Sequence, residues 1–211
     1  MRKRLLLFIA LGWVLLLIGD RVDELRVYQG ASIAVYVIAI GSIILLTGYS
    51  GQISLGHGAL MAFGGYVAAL CATNASLPLW FAFVMAALVT GIFGGILGFA
   101  AARLSGPYLA GTTLALAVGL PSLANQFSIL GGEQGIYLDP GLPPASLGES
   151  FSQYKWFFWI TTLAALITMF WLANILHSKY GRTWRALRSN DVAAQLCGVQ
   201  TGRQKVLAFS L

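Results

Sequence analysis

The stretch TGYSGQISLGHGALMAFGGY, Thr47 to Tyr66, decides how the chain is read. Six glycines, two serines, a glutamine and a histidine interrupt an apolar run that carries no Asp, Glu, Lys or Arg from Val27 to Ala102. That interval has room for three membrane crossings of about twenty residues with short turns. An unbroken apolar rod would need none of these polar and flexible residues. The stretch is therefore expected to hold a discontinuity in a membrane helix.

The rest of the composition sets the class. Of 211 residues, 58% are hydrophobic and only 9% are charged, whereas a soluble domain carries roughly a quarter charged residues to cover its surface. The mean hydropathy is +0.78. The chain reads as an all-α, polytopic transmembrane helical bundle, a single domain over residues 1–211 with a discontinuous or re-entrant segment near residues 48–58. The alternating segments of about ten residues that build a membrane barrel are absent from the sequence. Candidate spans are Ala31–Thr47, Gly58–Ala72, Leu79–Ala102, Tyr108–Leu130 and Trp156–Leu176, with a further one opening at Val206. MRKR followed by Leu5–Gly19 has the outline of a signal peptide, but GDRVDEL follows where small residues should precede a cleavage site. It is expected to be a retained first helix, giving about six spans and the start of a seventh. The chain stops at KVLAFSL, a few apolar residues into that last span, so the bundle is expected to be C-terminally incomplete.

Charge parity orients the spans. With MRKR in the cytoplasm and crossings counted in order, Arg21, Arg26 and Lys155 fall outside and the other ten Lys and Arg inside. Asp20, Asp23, Glu24, Glu133, Asp139 and Glu149 fall outside, and Asp191 inside. A Lys/Arg excess on the cytoplasmic side is the established bias of membrane proteins. The net charge of +6 is thereby accounted for by topology and contact with membrane lipid, with no nucleic-acid partner. YKWFFW, Tyr154–Trp159, supplies interfacial aromatics at the outer end of its helix. The segment Gly131–Gln153 is turn-rich and too polar to span, so it is expected to be an outer loop. Cys71 and Cys197 are expected near opposite faces, unpaired.

Two meanings fit the interrupted stretch. Gly48, Gly51, Gly56 and Gly58 would permit a break whose Gln52, Ser54 and His57 offer hydrogen bonds to a solute. Alternatively, the glycines serve only close helix packing, and His57 caps loop carbonyls. GIFGGILG, with Gly91/Gly95 and Gly94/Gly98, reads as close helix packing. Asn125 and Gln126 can bond a zwitterion or a neighbouring helix; Thr112 and Thr113 are weaker candidates, because hydroxyls bond back to their own helix.

Residues 179–205 form the long polar segment on the cytoplasmic side. Arg182, Arg185 and Arg188 recur at three-residue steps along one side of a helix. Asn190 or Asp191 can cap a short helix, Val192–Cys197, that Gly198 ends in left-handed geometry. A short capped helix beyond the bilayer suits pressing into a partner; the arginines alone suit topology and anionic lipid. No Gly-Lys-Ser/Thr phosphate loop, no metal-ligand spacing and no nucleophile with a base are present. The chain is read as a non-enzyme with no cofactor, metal or catalytic residue of its own.

LTGYSGQISLGHGALMAFGGYVAAL resembles the signature of the permease subunits of branched-chain amino acid ABC importers, the LivM type. AARLSGPYLAGTTLALA, GGEQGI and YGRTWRALRSNDVAAQLCGVQTGRQKVLAF resemble that family's later motifs, in the family's order. The resemblance covers about Ala31 to Leu211. With it, the candidates for a translocation path read from the residues are Gly51, Gln52, Ser54, Gly56, His57, Thr112, Asn125 and Gln126. The resemblance implies an ATPase-coupling element at Arg182, Arg185, Arg188, Asp191, Ala193, Ala194 and Gly198. The implied partners are a second permease subunit, two ATP-binding subunits and an extracytoplasmic solute-binding protein. The implied location is the inner (plasma) membrane of a bacterial or archaeal cell.

The chain departs from the pattern at two places. Val118 stands where many members have an acid, beside Pro121, which is expected to kink the helix. The motif Glu-Ala-Ala-x-x-x-Gly becomes Val192, Ala193, Ala194 and Gly198. The solute is expected to be a branched-chain or related apolar amino acid, with urea or short amides as the alternative. An autonomous channel or ion-coupled carrier is disfavoured by the lack of acids within the spans.

Overall fold

The computed structural model describes residues 2–73, 78–104, 106–137, 143 and 151–211, the side chains of Arg2 and Glu133 excepted. Among the described residues, all regular structure is helical: α1 Arg2–Arg21, α2 Glu24–Ile43, a π-helical segment Ile44–Tyr49, α3 His57–Thr73, α4 Leu79–Arg103, α5 Pro107–Gln126, α6 Gln153–His177, α7 Lys179–Ser189, α8 Asp191–Leu196 and α9 Thr201–Ser210. Glu24–Tyr49, α4, α5 and α6 are long and apolar enough to cross a membrane, and α3 is a shorter apolar helix.

Helix ends depart from the expected spans for local reasons. α2 begins at Glu24 rather than Ala31, because helical hydrogen bonding extends past the apolar stretch and an acid in the first turn suits the positive helix end. α5 runs through Pro121 but stops at Gln126 rather than Leu130. Phe127 is extended, and the chain then makes two short 3-10 turns through Gly131 at φ 81°. A Cβ at Gly131 would lie 2.0 Å from the Gly135 carbonyl oxygen, so only glycine closes this turn. Of the expected outer loop, residues 138–142 and 144–150, with Asp139 and Glu149, lie outside the described residues.

The burial pattern is that of a lipid-facing protein. Large side chains such as Leu6, Trp13, Ile33 and Ile92 are exposed, while alanines such as Ala31, Ala69, Ala82 and Ala101 are buried. Apolar residues toward lipid and small residues between helices are what association within a membrane requires.

The helices cluster into two compact units. In the first, formed by α1, α2 to Ser42, and α6, Phe158 fills the space left by two glycines. A Cβ at Gly19 would come within 2.6 Å of its ring, and one at Gly30 within 2.8 Å. Val27 and Ala31 complete this small core. Lys155 pairs with Asp20 at 3.0 Å nearby.

The second unit holds the π-helical segment, α3 to α5, and α7 (from Tyr180) to α9. α3 stacks Phe63 on Phe93 of α4, with ring centroids 4.4 Å apart. α9 lies against the glycines of GIFGGILG: a Cβ at Gly94 would be 2.3 Å from the Phe209 carbonyl oxygen, and one at Gly98 2.8 Å from Val206 Cα. The close-packing reading of this stretch thus has a specific partner, the backbone of α9. α9 also packs against α8 and the π-helical segment.

Candidate functional site

The interruption is built by re-routing backbone hydrogen bonds. In a continuing α-helix the Gln52 amide would reach the Gly48 carbonyl. Instead it donates to Leu46 O at 3.1 Å, and the Ser50 amide donates to Leu45 O at 3.1 Å. The widened turn strands the Gly48 carbonyl. Gly51 then turns the chain at φ 72°, and non-helical backbone continues to Gly56 before α3 starts at His57. A stranded backbone group in a dry interior costs several kcal/mol, so each needs a partner.

Side chains supply those partners. Thr47 Oγ1 donates to Gln52 O at 3.2 Å, and Ser54 Oγ accepts from the Gly56 amide at 3.3 Å. Thr113 Oγ1 of α5 accepts from the Leu55 amide at 3.0 Å. Gly56 lies so close to α5 that a Cβ would sit 2.9 Å from Thr113 O. Ser50, Gln52 and Ser54 are all buried. Gln52 Nε2 donates to Ser50 Oγ at 2.5 Å, while its buried Oε1 has no hydrogen-bond partner among the described residues.

The polar segment after α6 folds as expected, with one addition. α7 exposes Arg182, Arg185 and Arg188 and buries Gly181, Trp184 and Leu187 on the opposite side. Trp184 is fully buried and donates from Nε1 to Gln204 O of α9 at 3.1 Å. Asn190 caps α8, its side chain accepting from the Ala193 amide at 3.0 Å. Gly198 at φ 83° ends it. α8 exposes Val192, Ala193 and Leu196 and turns Ala194 inward. It is tied to α9 at both ends, by Asp191 to Lys205 at 2.7 Å and by Gln195 to Thr201 at 2.8 Å.

The structure brings the interruption and this segment together. The Arg188 guanidinium donates to the stranded Gly48 carbonyl, and a Cβ on Gly51 would lie 3.2 Å from Arg188 Cα. Arg185 stands 6.0 Å from the Tyr49 ring. A polar cleft of about 240 Å³ lies here, lined among others by Gln52, Arg188, Asn190, Asp191 and Lys205.

Other expected residues fall elsewhere. Thr112 is exposed and bonds back to Tyr108 O and Leu109 O; it is Thr113 that meets the interruption. Asn125 and Gln126 are exposed in the last turn of α5, about 18 Å along the helix from Thr113 at 1.5 Å per residue. His57 opens α3, half-buried. Trp184 and Lys205 were not anticipated. The three-residue spacing of Gly181, Trp184 and Leu187, offset by one from the arginines, was the available signal for Trp184.

Residues 28–211 match the family described as branched-chain amino acid transport system / permease component. The chain belongs to that family. It is similar to the high-affinity branched-chain amino acid transport system permease protein LivM of Salmonella typhimurium, with 28% identity over 98% of this chain and 52% of the relative. LivM of Escherichia coli K12 is 27% identical over the same shares. The chain thus spans about half the length of the curated relatives it matches. No solved structure matches. The all-α structure with membrane-length helices agrees with membership in this permease family.

Proposed function

We propose that the chain is the permease subunit of an ATP-driven importer that carries branched-chain or related apolar amino acids across the inner membrane, N-terminus in the cytoplasm. It works as one permease domain of about six spans, paired with a second permease subunit. A binding protein outside delivers the solute, and two ATPase chains inside press on α8. The names of the two relatives support the solute class, and the Lys/Arg distribution supports the orientation.

The observation that carries the reading is the contact between the interruption and α7, at Gly48, Gly51 and Arg188. In this reading, movement of the ATPase-facing element has to reach a pliable part of the path, and broken helices lining a cavity are where membrane transporters build their sites. The short interruption is such a part, because it is held by side-chain hydrogen bonds rather than by a helical ladder. Its buried Gln52 Oε1 is an acceptor for an ammonium group once the interruption opens. On the ATPase side, the apolar exposed edge of α8, Val192, Ala193 and Leu196, would fill a partner groove while Arg182 and Arg185 meet acidic groups at its rim.

The experiment is uptake of labelled leucine by vesicles holding the full chain with its partner subunits. Accumulation that requires both internal ATP and the binding protein is expected. Equilibration of leucine without ATP would refute the importer reading in favour of a channel or carrier.

A further inference from the structure

A helix that ends within a protein leaves its last carbonyls without intrahelical donors, and partial negative charge gathers there. At the end of Ile44–Tyr49 the stranded group is the Gly48 carbonyl, because the Gln52 amide has gone to Leu46 O. The donor that answers it is the Arg188 guanidinium, 140 residues away in the chain. A cation on a helix C-terminus gains both a charge-assisted hydrogen bond and a favourable dipole interaction. The other arginines of α7 are placed differently. Arg185 folds back onto Gly181 O of its own helix at 3.2 Å, and Arg182 lies six residues before Arg188, near the start of α7.

Arg188 is also closely tied to α8. Asn190, two residues on, is the α8 cap. Asp191–Lys205 and Gln195–Thr201 bind both ends of α8 to α9. α9 in turn is seated backbone-to-backbone on Gly94 of α4. α8 and α9 are therefore bound to each other, and Arg188, two residues before the α8 cap, links them to the Gly48 carbonyl of the interruption. The approach at Gly51 leaves little slack, since Arg188 Cα is 3.2 Å from where a Cβ would be.

We infer that Arg188 is a positioning residue, a latch that transmits displacement of α8 to the interruption by making and releasing its cap on the Gly48 carbonyl. The inference rests on the proposed reading of α8 as the ATPase-facing helix. In the latched state the end of the π-helical segment is fixed to α7. In the released state Gly48 O turns to the polar cleft beside it, where Gln52 and Asn190 line space for solvent. Arg188 thereby differs from a docking residue: its partner is the permease itself.

The test uses the full chain with its ATPase chains and binding protein in vesicles, with leucine as the solute. Arg188→Gln should keep the ATPase chains bound and ATP hydrolysis running, while leucine moved per ATP falls about tenfold, the effect of one lost charge-assisted bond. Arg188→Lys, which keeps a positively charged donor for the carbonyl, should recover most of the ratio. Arg203→Gln, an exposed charge on α9, should leave it unchanged. An unchanged ratio in Arg188→Gln, or loss of the ATPase chains from a folded variant, would overturn the latch and leave the importer reading standing. Leucine uptake by the unaltered complex without ATP would defeat that reading itself. Should Arg188→Gln not fold, amide exchange over Gly51–Gly56 in the unaltered complex decides. A change of about tenfold on adding a non-hydrolysable ATP analogue is expected, and identical exchange would overturn the latch.

Discussion

Trp184 and Gln204 are joined by a hydrogen bond of 3.1 Å from the indole Nε1 to the backbone carbonyl, across the interface of α7 and α9. The indole is fully buried, so it holds the polar segment in place by apolar contact as well as by this bond. The arginine-rich segment is thus a packed element with its own core residue rather than a solvated loop.

Removing that ring should be costly. Truncating a buried Trp to Ala costs about 3–5 kcal/mol, and Trp184→Ala should lower the thermal midpoint of the detergent-solubilised protein or abolish its accumulation. Trp184→Phe keeps most of the apolar volume and gives up the hydrogen bond, for a loss of about 1 kcal/mol. Equal damage from the two would mean that the bond, and not the packing, matters.

The seat of α9 on α4 discriminates between adjacent glycines. At Gly94 a Cβ would lie 2.3 Å from backbone, whereas at Gly95 the nearest atom is Ser210 Cβ at 3.7 Å. Gly94→Ala must push the two backbones apart and should destabilise by about 1–3 kcal/mol. Gly95→Ala should stay within about 0.5 kcal/mol of the parent. Thermal unfolding of both variants checks the contrast.

Neighbouring threonines should differ in the same way. Thr113→Val removes the acceptor of the Leu55 amide and strands a backbone group, at a cost of about 1–3 kcal/mol. Thr113→Ser keeps the oxygen and should be mild. Thr112→Val touches only bonds within its own helix and should leave stability and leucine uptake near the parent values. Uptake measured at matched membrane abundance separates the three.

The cap of α8 should be separable from its exposed surface. Asn190→Ala removes the acceptor for the Ala193 amide and should cost about 1 kcal/mol of local helix stability. On the proposed coupling role, retention of the ATPase chains should weaken by about fivefold. Asn190→Asp keeps an acceptor at the cap and should retain them.

Much of this architecture was legible because it follows from local backbone chemistry. The glycines and polar residues after Thr47 announced the interruption, Gly51 taking the positive φ expected of such a turn. Asn190 or Asp191 and Gly198 announced the two ends of α8, and the structure has Asn190 as the cap. Hydropathy placed α4 within a residue but missed the true start of α2, because it registers apolar stretches and not hydrogen-bonded turns. What could not be read was which distant group completes each stranded bond. Thr112 and Thr113 have the same chemistry, and only the packing of α5 on the interruption picks Thr113. Arg188 looked like its two companions on α7, and only the fold sets it against Gly48. Lys205 likewise gained meaning only when α9 brought it to Asp191.

The account as a whole requires that α8 face the cytoplasm and lie under the ATPase chains. Cys197, exposed directly after α8, reports on both when Cys71 is replaced by Ser. A maleimide unable to cross lipid should label Cys197 in inside-out vesicles stripped of ATPase chains, less so when those chains are bound, and not in intact cells. Labelling of Cys197 from the outside of intact cells would contradict it.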